Sequence, residues 1–190
     1  MNIQLSGIQK SYGEKAVLRD LSLTFPEGET TLLMGESGIG KTTLFGILLG
    51  IEKPDGGEIS GLPAKVSVAF QNDALCPQLS VEDNIRLALP HITKEEIDSA
   101  LLEVGLGADA KTKASALSGG MGRRASVVRA MLSNAPLVLL DEPFRGLDPD
   151  SKAKTAAFIV QKRQGRTLLV ITHDKEDKVL LEANTILTLK

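Results

Sequence analysis

Long apolar runs and paired cysteines are both missing from this sequence of 190 residues. Because a membrane-spanning helix needs about 18 or more consecutive apolar residues, no segment is expected to cross a bilayer. The single cysteine, Cys76, has no second cysteine with which to form an internal disulfide, which is typical of a reducing compartment. Cys76 precedes Pro77 in a loop-like stretch, where a thiol without a chemical role is the simplest interpretation.

An excess of charge of either sign is absent as well. The chain has 22 basic and 24 acidic residues, which gives a formal net charge of −2. Since nucleic acids and anionic membranes attract strongly basic surfaces, neither is an expected partner. The first ten residues also lack the basic start and apolar stretch of a signal peptide, so we expect a cytoplasmic protein. With 42% hydrophobic residues, the chain is expected to form one domain over residues 1–190.

Apolar runs alternate along the chain with segments of helical spacing. Strands are predicted in the N-terminal region up to Phe25 and at residues 30–34, 66–70, 137–140, 167–171 and 185–189. Helices are predicted at residues 41–49, 81–89, 93–104, 118–132, 151–164 and 175–182, and Thr93 with Glu96 matches a capping box. This alternation predicts an α/β domain with a mainly parallel sheet. A helix-rich section, at about residues 74–133, interrupts it and is interpreted as an inserted lobe.

A glycine-rich loop follows the predicted strand at residues 30–34. Residues 35–42 (GESGIGKT) match the phosphate-binding pattern G-x-x-x-x-G-K-[ST], in the strand–loop–helix context that the motif requires. Glycines let several backbone N–H groups face one anion, and the helix that follows directs its positive end there. Lys41 adds a full charge near the β- and γ-phosphates, and the Thr42 hydroxyl can bind Mg²⁺. The residues predicted to contact a nucleotide here are Gly35, Glu36, Ser37, Gly38, Gly40, Lys41, Thr42 and Thr43.

Two acidic residues, Asp141 and Glu142, follow the apolar strand LVLL. Ligands of open α/β sheets bind at the carboxyl ends of the strands, which is where these carboxylates are expected. Asp141 is predicted to hold Mg²⁺ through water, and Glu142 to orient or deprotonate an attacking water. Alone, the pair would be interpreted as an acidic turn after a core strand. The phosphate-binding loop favours the catalytic interpretation.

A nucleotide site by itself leaves GTPases, nucleotide kinases and many ATPases open. Residues 117–121 (LSGGM) distinguish among them, because Ser-Gly-Gly at a helix start makes a second anion-binding N-terminus. On its own this tripeptide is better interpreted as a linker or a simple helix cap. Its position shortly before Asp141 favours the second site.

With these motifs in this order, the chain resembles a nucleotide-binding subunit of an ABC (ATP-binding cassette) transporter over nearly its whole length. LSGGM resembles the ABC signature, in which Gln is more frequent than Met121. Gln71 resembles the glutamine of the Q-loop, and residues 146–148 resemble the D-loop. His173 resembles the switch histidine, and Tyr12 resembles the aromatic residue that stacks on adenine. Without the resemblance, Tyr12 would be interpreted as packing and Gln71 as solvated. His173 would be interpreted as a hydrogen-bonding residue, and Asp148 as a cap of the following turn.

The resemblance implies the ABC ATPase fold of the P-loop NTPase class: a RecA-like core, an antiparallel β lobe and an inserted helical lobe. It implies hydrolysis of ATP to ADP and phosphate with Mg²⁺. The implied catalytic residues are Glu142, His173, Lys41 and Gln71, and the implied metal ligands are Thr42, Gln71 and Asp141. Two subunits, either identical or homologous, would pair head to tail. The residues implied to complete the partner's ATP site are Ser118, Gly119, Gly120 and Asp148.

The implied membrane partner is an integral permease, which would place this chain peripherally at the cytoplasmic face of the cell membrane. In the family, a groove beside the Q-loop accepts a permease helix, and Leu75 and Leu79 are expected to contribute to it here. The segment that begins at Phe70 and the string LSGGMGRR are similar to bacterial importers of the nitrate, sulfonate and taurine type. Arg123 and Arg124 are expected on a solvated helix face, with contact to a partner as the alternative.

Four other classes are less consistent with the sequence. ABC ATPases of DNA repair or translation usually carry a long coiled coil or two cassettes, which 190 residues do not hold. A P-loop kinase would need an acceptor-binding lid, and a GTPase would need a guanine-reading motif such as Asn-Lys-x-Asp, which is absent. A binding module without hydrolysis is disfavoured because Lys41 and Glu142 are both present.

Overall fold

The structure, a computed structural model, describes residues 1–189 and contains two β-sheets. The smaller sheet is antiparallel and has the order β2-β1-β4, formed by β1 (Ile3–Tyr12), β2 (Lys15–Phe25) and β4 (Gly56–Ser60). The larger sheet is parallel and has the order β5-β6-β7-β3-β8. Its strands are β3 (Thr30–Met34), β5 (Val66–Ala69), β6 (Leu137–Asp141), β7 (Thr167–Ile171) and β8 (Thr185–Thr188).

Six α-helices accompany these strands within residues 1–189. They are α1 (Lys41–Leu48), α2 (Val81–Ala88), α3 (Lys94–Glu103), α4 (Gly119–Met131), α5 (Pro149–Arg163) and α6 (Asp177–Leu180). The predicted capping box is confirmed, because Thr93 accepts a hydrogen bond from the Glu96 backbone and the Glu96 carboxylate accepts one from the Thr93 backbone. None of the helices in the described part of the chain is both long enough and apolar enough to span a membrane.

The parallel sheet separates two hydrophobic cores. Every residue of β3, β6 and β7 is buried, as expected of parallel strands that are covered on both faces. Because successive side chains of a strand point to opposite faces, Leu32 belongs to the core under α2–α5, and Leu33 to the core with α1 and the antiparallel sheet. The sheet is therefore packed on both faces, which fixes the positions of the carboxyl ends of its strands.

Two elements differ from the sequence-based prediction. Strand β4 was missed, because Gly56 and Gly57 indicate a turn and the strand has no buried side chain. It forms because it pairs with β1, for example Ile59 opposite Leu5. Helix α6 is shorter than predicted and has only four residues. Its start is set by Asp177, whose carboxylate accepts a hydrogen bond from the Thr172 hydroxyl at 2.5 Å.

Candidate active site

The glycine-rich loop connects the end of β3 to the first residue of α1. Gly40 lies at the N-terminus of the helix with φ of 106°, and a Cβ there would lie 2.6 Å from Leu18 Cδ2. Only glycine fits both the conformation and the space. The Lys41 ammonium donates hydrogen bonds back to the carbonyls of Gly35 at 2.7 Å and Glu36 at 2.8 Å. The loop therefore curls around the Lys41 side chain.

A cavity of about 530 Å³ lies in front of this loop. It brings together residues that are far apart in the sequence, at the carboxyl-terminal edge of the parallel sheet, where α/β proteins bind ligands. The sequence-predicted residues that line it are Gly35, Ser37, Gly38, Gly40, Lys41, Thr42, Thr43, Gln71, Asp141, Glu142 and His173.

Two residues predicted to contact the nucleotide, Tyr12 and Glu36, do not line this cavity. Tyr12 ends β1 and is 48% exposed, and the Lys10 ammonium lies 5.4 Å from the centre of its ring. Glu36 contributes its backbone carbonyl to Lys41 instead of its side chain. Val17 of β2 lines the cavity on this side, and the sequence analysis did not identify it.

Neighbouring strands bring Glu142 and His173 together. The Glu142 N–H donates to the carbonyl of Ile171 at 2.9 Å, which continues the pairing of β6 with β7 by one residue. Glu142 itself has φ of 51°, a region that non-glycine residues occupy rarely and often at functional sites. His173 Nδ1 lies 2.9 Å from Glu142 Oε2. A carboxylate held by a histidine at the mouth of a phosphate-binding loop can orient a water and accept its proton.

Asp141 is the buried member of the acidic pair, with only 4% of its surface exposed. Burial, followed by the charge of Glu142, raises the pKa of Asp141 to about 6, although Arg123 and Lys41 act in the opposite direction. An aspartate in this environment is poorly solvated as an anion, and a nearby cation would stabilise its charged form.

The three predicted metal ligands, Thr42, Gln71 and Asp141, lie close together. Besides the main cavity, they line an adjoining cavity of about 450 Å³. All three side chains offer oxygen, the donor type that Mg²⁺ prefers. Within residues 1–189 no three or more His, Cys, Asp or Glu side chains converge as a metal site. That finding does not conflict with this set, because two of its three members are a threonine and a glutamine.

The signature residues and the D-loop line a different cavity, of about 620 Å³. Ser118 is the N-cap of α4 and accepts a hydrogen bond from the Met121 N–H at 3.3 Å. Asp148 is the N-cap of α5 and accepts one from the Ser151 N–H at 3.0 Å, which lowers the pKa of Asp148. Gly119 and Gly120 lie beside them. These residues therefore line one cavity together, and none of them lines the cavity of Lys41 in the same chain.

Sequence reasoning misinterpreted two arginines near these cavities, Arg123 and Arg124, and missed a third, Arg145. The prediction that Arg123 and Arg124 form a solvated face is wrong, because α4 packs against its surroundings on nearly every side. Arg123 is only 6% exposed and donates to the carbonyl of Phe70 at 2.8 Å, and Arg124 donates to that of Val104 at 2.8 Å. Arg145 lines all three cavities. The sequence could have indicated a role for Arg145, because it lies between Glu142 and the D-loop residue Gly146.

Comparisons with known proteins identify the family. The sequence model of the family described as "ABC transporter" matches residues 18–145. The aliphatic sulfonates import ATP-binding protein SsuB 1 of Paracoccus denitrificans is 38% identical over 189 residues, which is 96% of this chain and 77% of that protein. SsuB 2 of Rhodococcus jostii is 38% identical over 192 residues, which is 98% of this chain and 78% of that protein.

Solved structures give the same result. The dimeric structure of MJ0796, a bacterial ABC transporter cassette, has a TM-score of 0.88 and 27% identity, and covers 99% of this chain and 94% of that chain. A dimeric post-hydrolysis state of the same cassette, bound to ADP and Pi, has a TM-score of 0.87 with the same coverage. The predicted fold class is thus confirmed. This chain belongs to the ABC transporter family, as one of its ATP-binding subunits with ATPase activity.

Proposed function

We propose that this chain hydrolyses Mg²⁺-bound ATP in the cavity of about 530 Å³ and so powers an importer. The observation that carries the proposal is the convergence of the phosphate-binding loop, Gln71, Asp141, Glu142 and His173 on that one cavity. The names of the relatives favour an importer. We further propose that residues 1–190 form a single ABC ATPase domain.

Each side chain of the cavity has a distinct proposed task. The loop N–H groups and Lys41 bind the phosphates, and Thr42, Gln71 and Asp141 would hold Mg²⁺. The metal ion, when bound, would neutralise phosphate charge. Glu142 orients the attacking water and accepts its proton at a carboxylate oxygen. His173, 2.9 Å from that carboxylate, fixes its direction. Tyr12, exposed at the end of β1, is proposed to turn toward the adenine ring.

Replacing Lys41 with Ala tests nucleotide binding. The variant removes the one full positive charge of the loop, so the dissociation constant for ATP should rise at least about tenfold, about 1.4 kcal/mol. Lys178→Ala, a change at an exposed lysine of α6, is the matched control and should bind as the wild type does. Isothermal titration calorimetry with Mg·ATP measures both. Equal affinity of Lys41→Ala and the wild type would contradict the assignment.

The signature and D-loop residues are proposed to act on a second subunit. Ser118, Gly119 and Asp148 are exposed and line a cavity separate from that of Lys41. In a head-to-tail dimer of two copies, or of this chain with a homologous subunit, they would close over the partner's ATP. ATP would then hold the two subunits together, and its hydrolysis would let them separate.

Replacing Glu142 with Gln tests hydrolysis and this closure together. Glutamine keeps the shape but cannot accept a proton, so turnover should fall at least about a hundredfold while ATP still binds. The variant should then accumulate as an ATP-bound dimer in size-exclusion chromatography. Glu95→Gln, at an exposed position of α3, should keep full turnover and serves as the control. Near-normal turnover of Glu142→Gln would assign the base to another residue.

A large groove on the helical side is the proposed permease site. It has a volume of about 860 Å³ and lies along β5, the edge strand of the parallel sheet. Val66, Val68, Ala88 and Ile92 are among the residues that line it, so a short amphipathic helix would fit there. Leu75 and Leu79 do not line it, and Leu75 packs against the neighbouring core instead. A permease in this groove would hold the chain peripherally at the cytoplasmic face of the membrane.

The change Ala88→Arg tests the groove. Ala88 is exposed at the end of α2, so a long charged side chain should block the groove without disturbing the fold or the ATP cavity. Recovery of the protein with solubilised membranes should fall, and ATPase activity without membranes should stay unchanged. Ala157→Arg, at an exposed position of α5, is the matched control. Equal membrane recovery of both variants would place the permease elsewhere.

A further inference from the structure

Two arginines of α4 hold the segment that follows β5, residues 70–74, here called the Q-loop segment. Arg123 donates hydrogen bonds to the carbonyls of Phe70, at 2.8 Å, and Gln71. Arg129 donates to the carbonyls of Asp73, at 3.0 Å, and Ala74, at 2.8 Å. Four of the five carbonyls of the segment are therefore bound to side chains of a single helix.

The backbone of the Q-loop segment needs such support. Asp73 has φ of 57° and Ala74 has φ of 46°, so two consecutive non-glycine residues are in the left-handed region. Residues in such conformations persist when the surrounding structure determines them. Within the segment, the Asp73 N–H donates to the carbonyl of Phe70 and the Ala74 N–H to that of Asn72.

Arg123 is the most buried contact of the segment. Its guanidinium forms an ion pair with Asp73 at 3.1 Å and lies 3.5 Å from the carbonyl of Asp141. A Cβ on Gly122 would lie 3.1 Å from the Asp73 carboxylate, so the glycine leaves room for Asp73 against the helix. A planar guanidinium with several donors can hold two carbonyls and a carboxylate at once, which the single ammonium of lysine cannot reproduce.

The same helix begins at the signature residues. Ser118 is its N-cap, and Arg123 lies in its second turn and lines the signature cavity. Gln71 lines both that cavity and the cavity of Lys41. Arg123 thus connects the start of α4 to a residue that faces both cavities.

We propose that Arg123 is a positioning residue: by holding the carbonyls of Phe70 and Gln71, it sets the side chain of Gln71 for hydrolysis and ties its position to α4. This inference rests on the task proposed above for Gln71, which would hold Mg²⁺ in the cavity where ATP is hydrolysed. Because Arg123 does not touch the phosphate-binding loop, its loss should lower kcat for ATP and leave KM nearly unchanged.

A double-mutant cycle tests the proposal. Arg123→Met and Gln71→Ala should each lower kcat at least about tenfold, with KM within about threefold of wild type. Because Arg123 acts through Gln71, the double variant should have the same kcat as Gln71→Ala within about twofold. Arg123→Lys should lie between wild type and Arg123→Met.

Arg166→Met is the matched control. Arg166 is also partly buried and donates to backbone carbonyls, those of Ser133 at 2.7 Å and Met131 at 2.9 Å, but it lines neither cavity. Its loss should lower the melting temperature and leave kcat unchanged, which separates positioning from general destabilisation.

Amide hydrogen exchange gives a readout that does not depend on activity. In the nucleotide-free protein, exchange at Asp73 and Ala74 should be at least about tenfold faster in Arg123→Met than in wild type, and unchanged in Arg166→Met.

Four results would overturn the inference. A kcat of Arg123→Met within about twofold of wild type would do so, as would unchanged exchange at Asp73 and Ala74. Losses that multiply in the double variant would show that Arg123 acts independently of Gln71. Full activity of Gln71→Ala would instead remove the role proposed for Gln71, and the inference with it, so the two failures are distinguishable.

Discussion

The pairing of β6 with β7 is the constraint on which the hydrolytic geometry depends. It runs from Leu137 to Asp141 along one strand and continues through the hydrogen bond from Glu142 to the carbonyl of Ile171. Because β6 and β7 are parallel, both strands end at the same edge of the sheet, and Glu142 contacts His173 there. The neighbouring pairing of β3 with β7 places the phosphate-binding loop at the same edge. The phosphate-binding loop, Glu142 and His173 are distant in the sequence, but they line one cavity because the sheet that carries them is packed on both faces by the two cores.

Much of the fold could be predicted because its buried strands are short, mainly apolar and preceded by turn residues. The segments at 30–34 and 167–171 agree with β3 and β7 to the residue, because a glycine two residues before each strand, Gly28 or Gly165, marks the turn that precedes it. Strand β4 could not be predicted, because its pairing with β1 joins residues about 50 apart and Ile59 is its only residue that favours a strand. Helix α6 was predicted too long because its limits depend on the tertiary contact of Asp177 with Thr172.

The candidate site shows the same division. Motifs that act through the backbone, such as residues 35–42, can be recognised in the sequence because the spacing of their glycines is what allows the backbone to bind phosphate. The burial of Arg123 could not be predicted from the sequence, because two adjacent charged residues on a helix normally face solvent. Only the fold shows that α4 is surrounded on nearly all sides and that the carbonyls of the Q-loop segment lie where a guanidinium can reach them. The adenine contact of Tyr12 remains a prediction, because Tyr12 is not among the residues that line the cavity.

The central claim is the proposal that a complete ATP site needs Lys41 of one copy and Ser118 of another. A complementation assay tests it most directly: folded Lys41→Ala and Ser118→Arg proteins, each inactive alone, are mixed in equal amounts and their ATPase activity is measured. Half of the randomly paired dimers contain one copy of each variant, and such a dimer has one site with both defects and one with none. The account predicts that the mixture regains about a quarter of the wild-type activity. A mixture that stays inactive while both proteins remain folded and associate would contradict it.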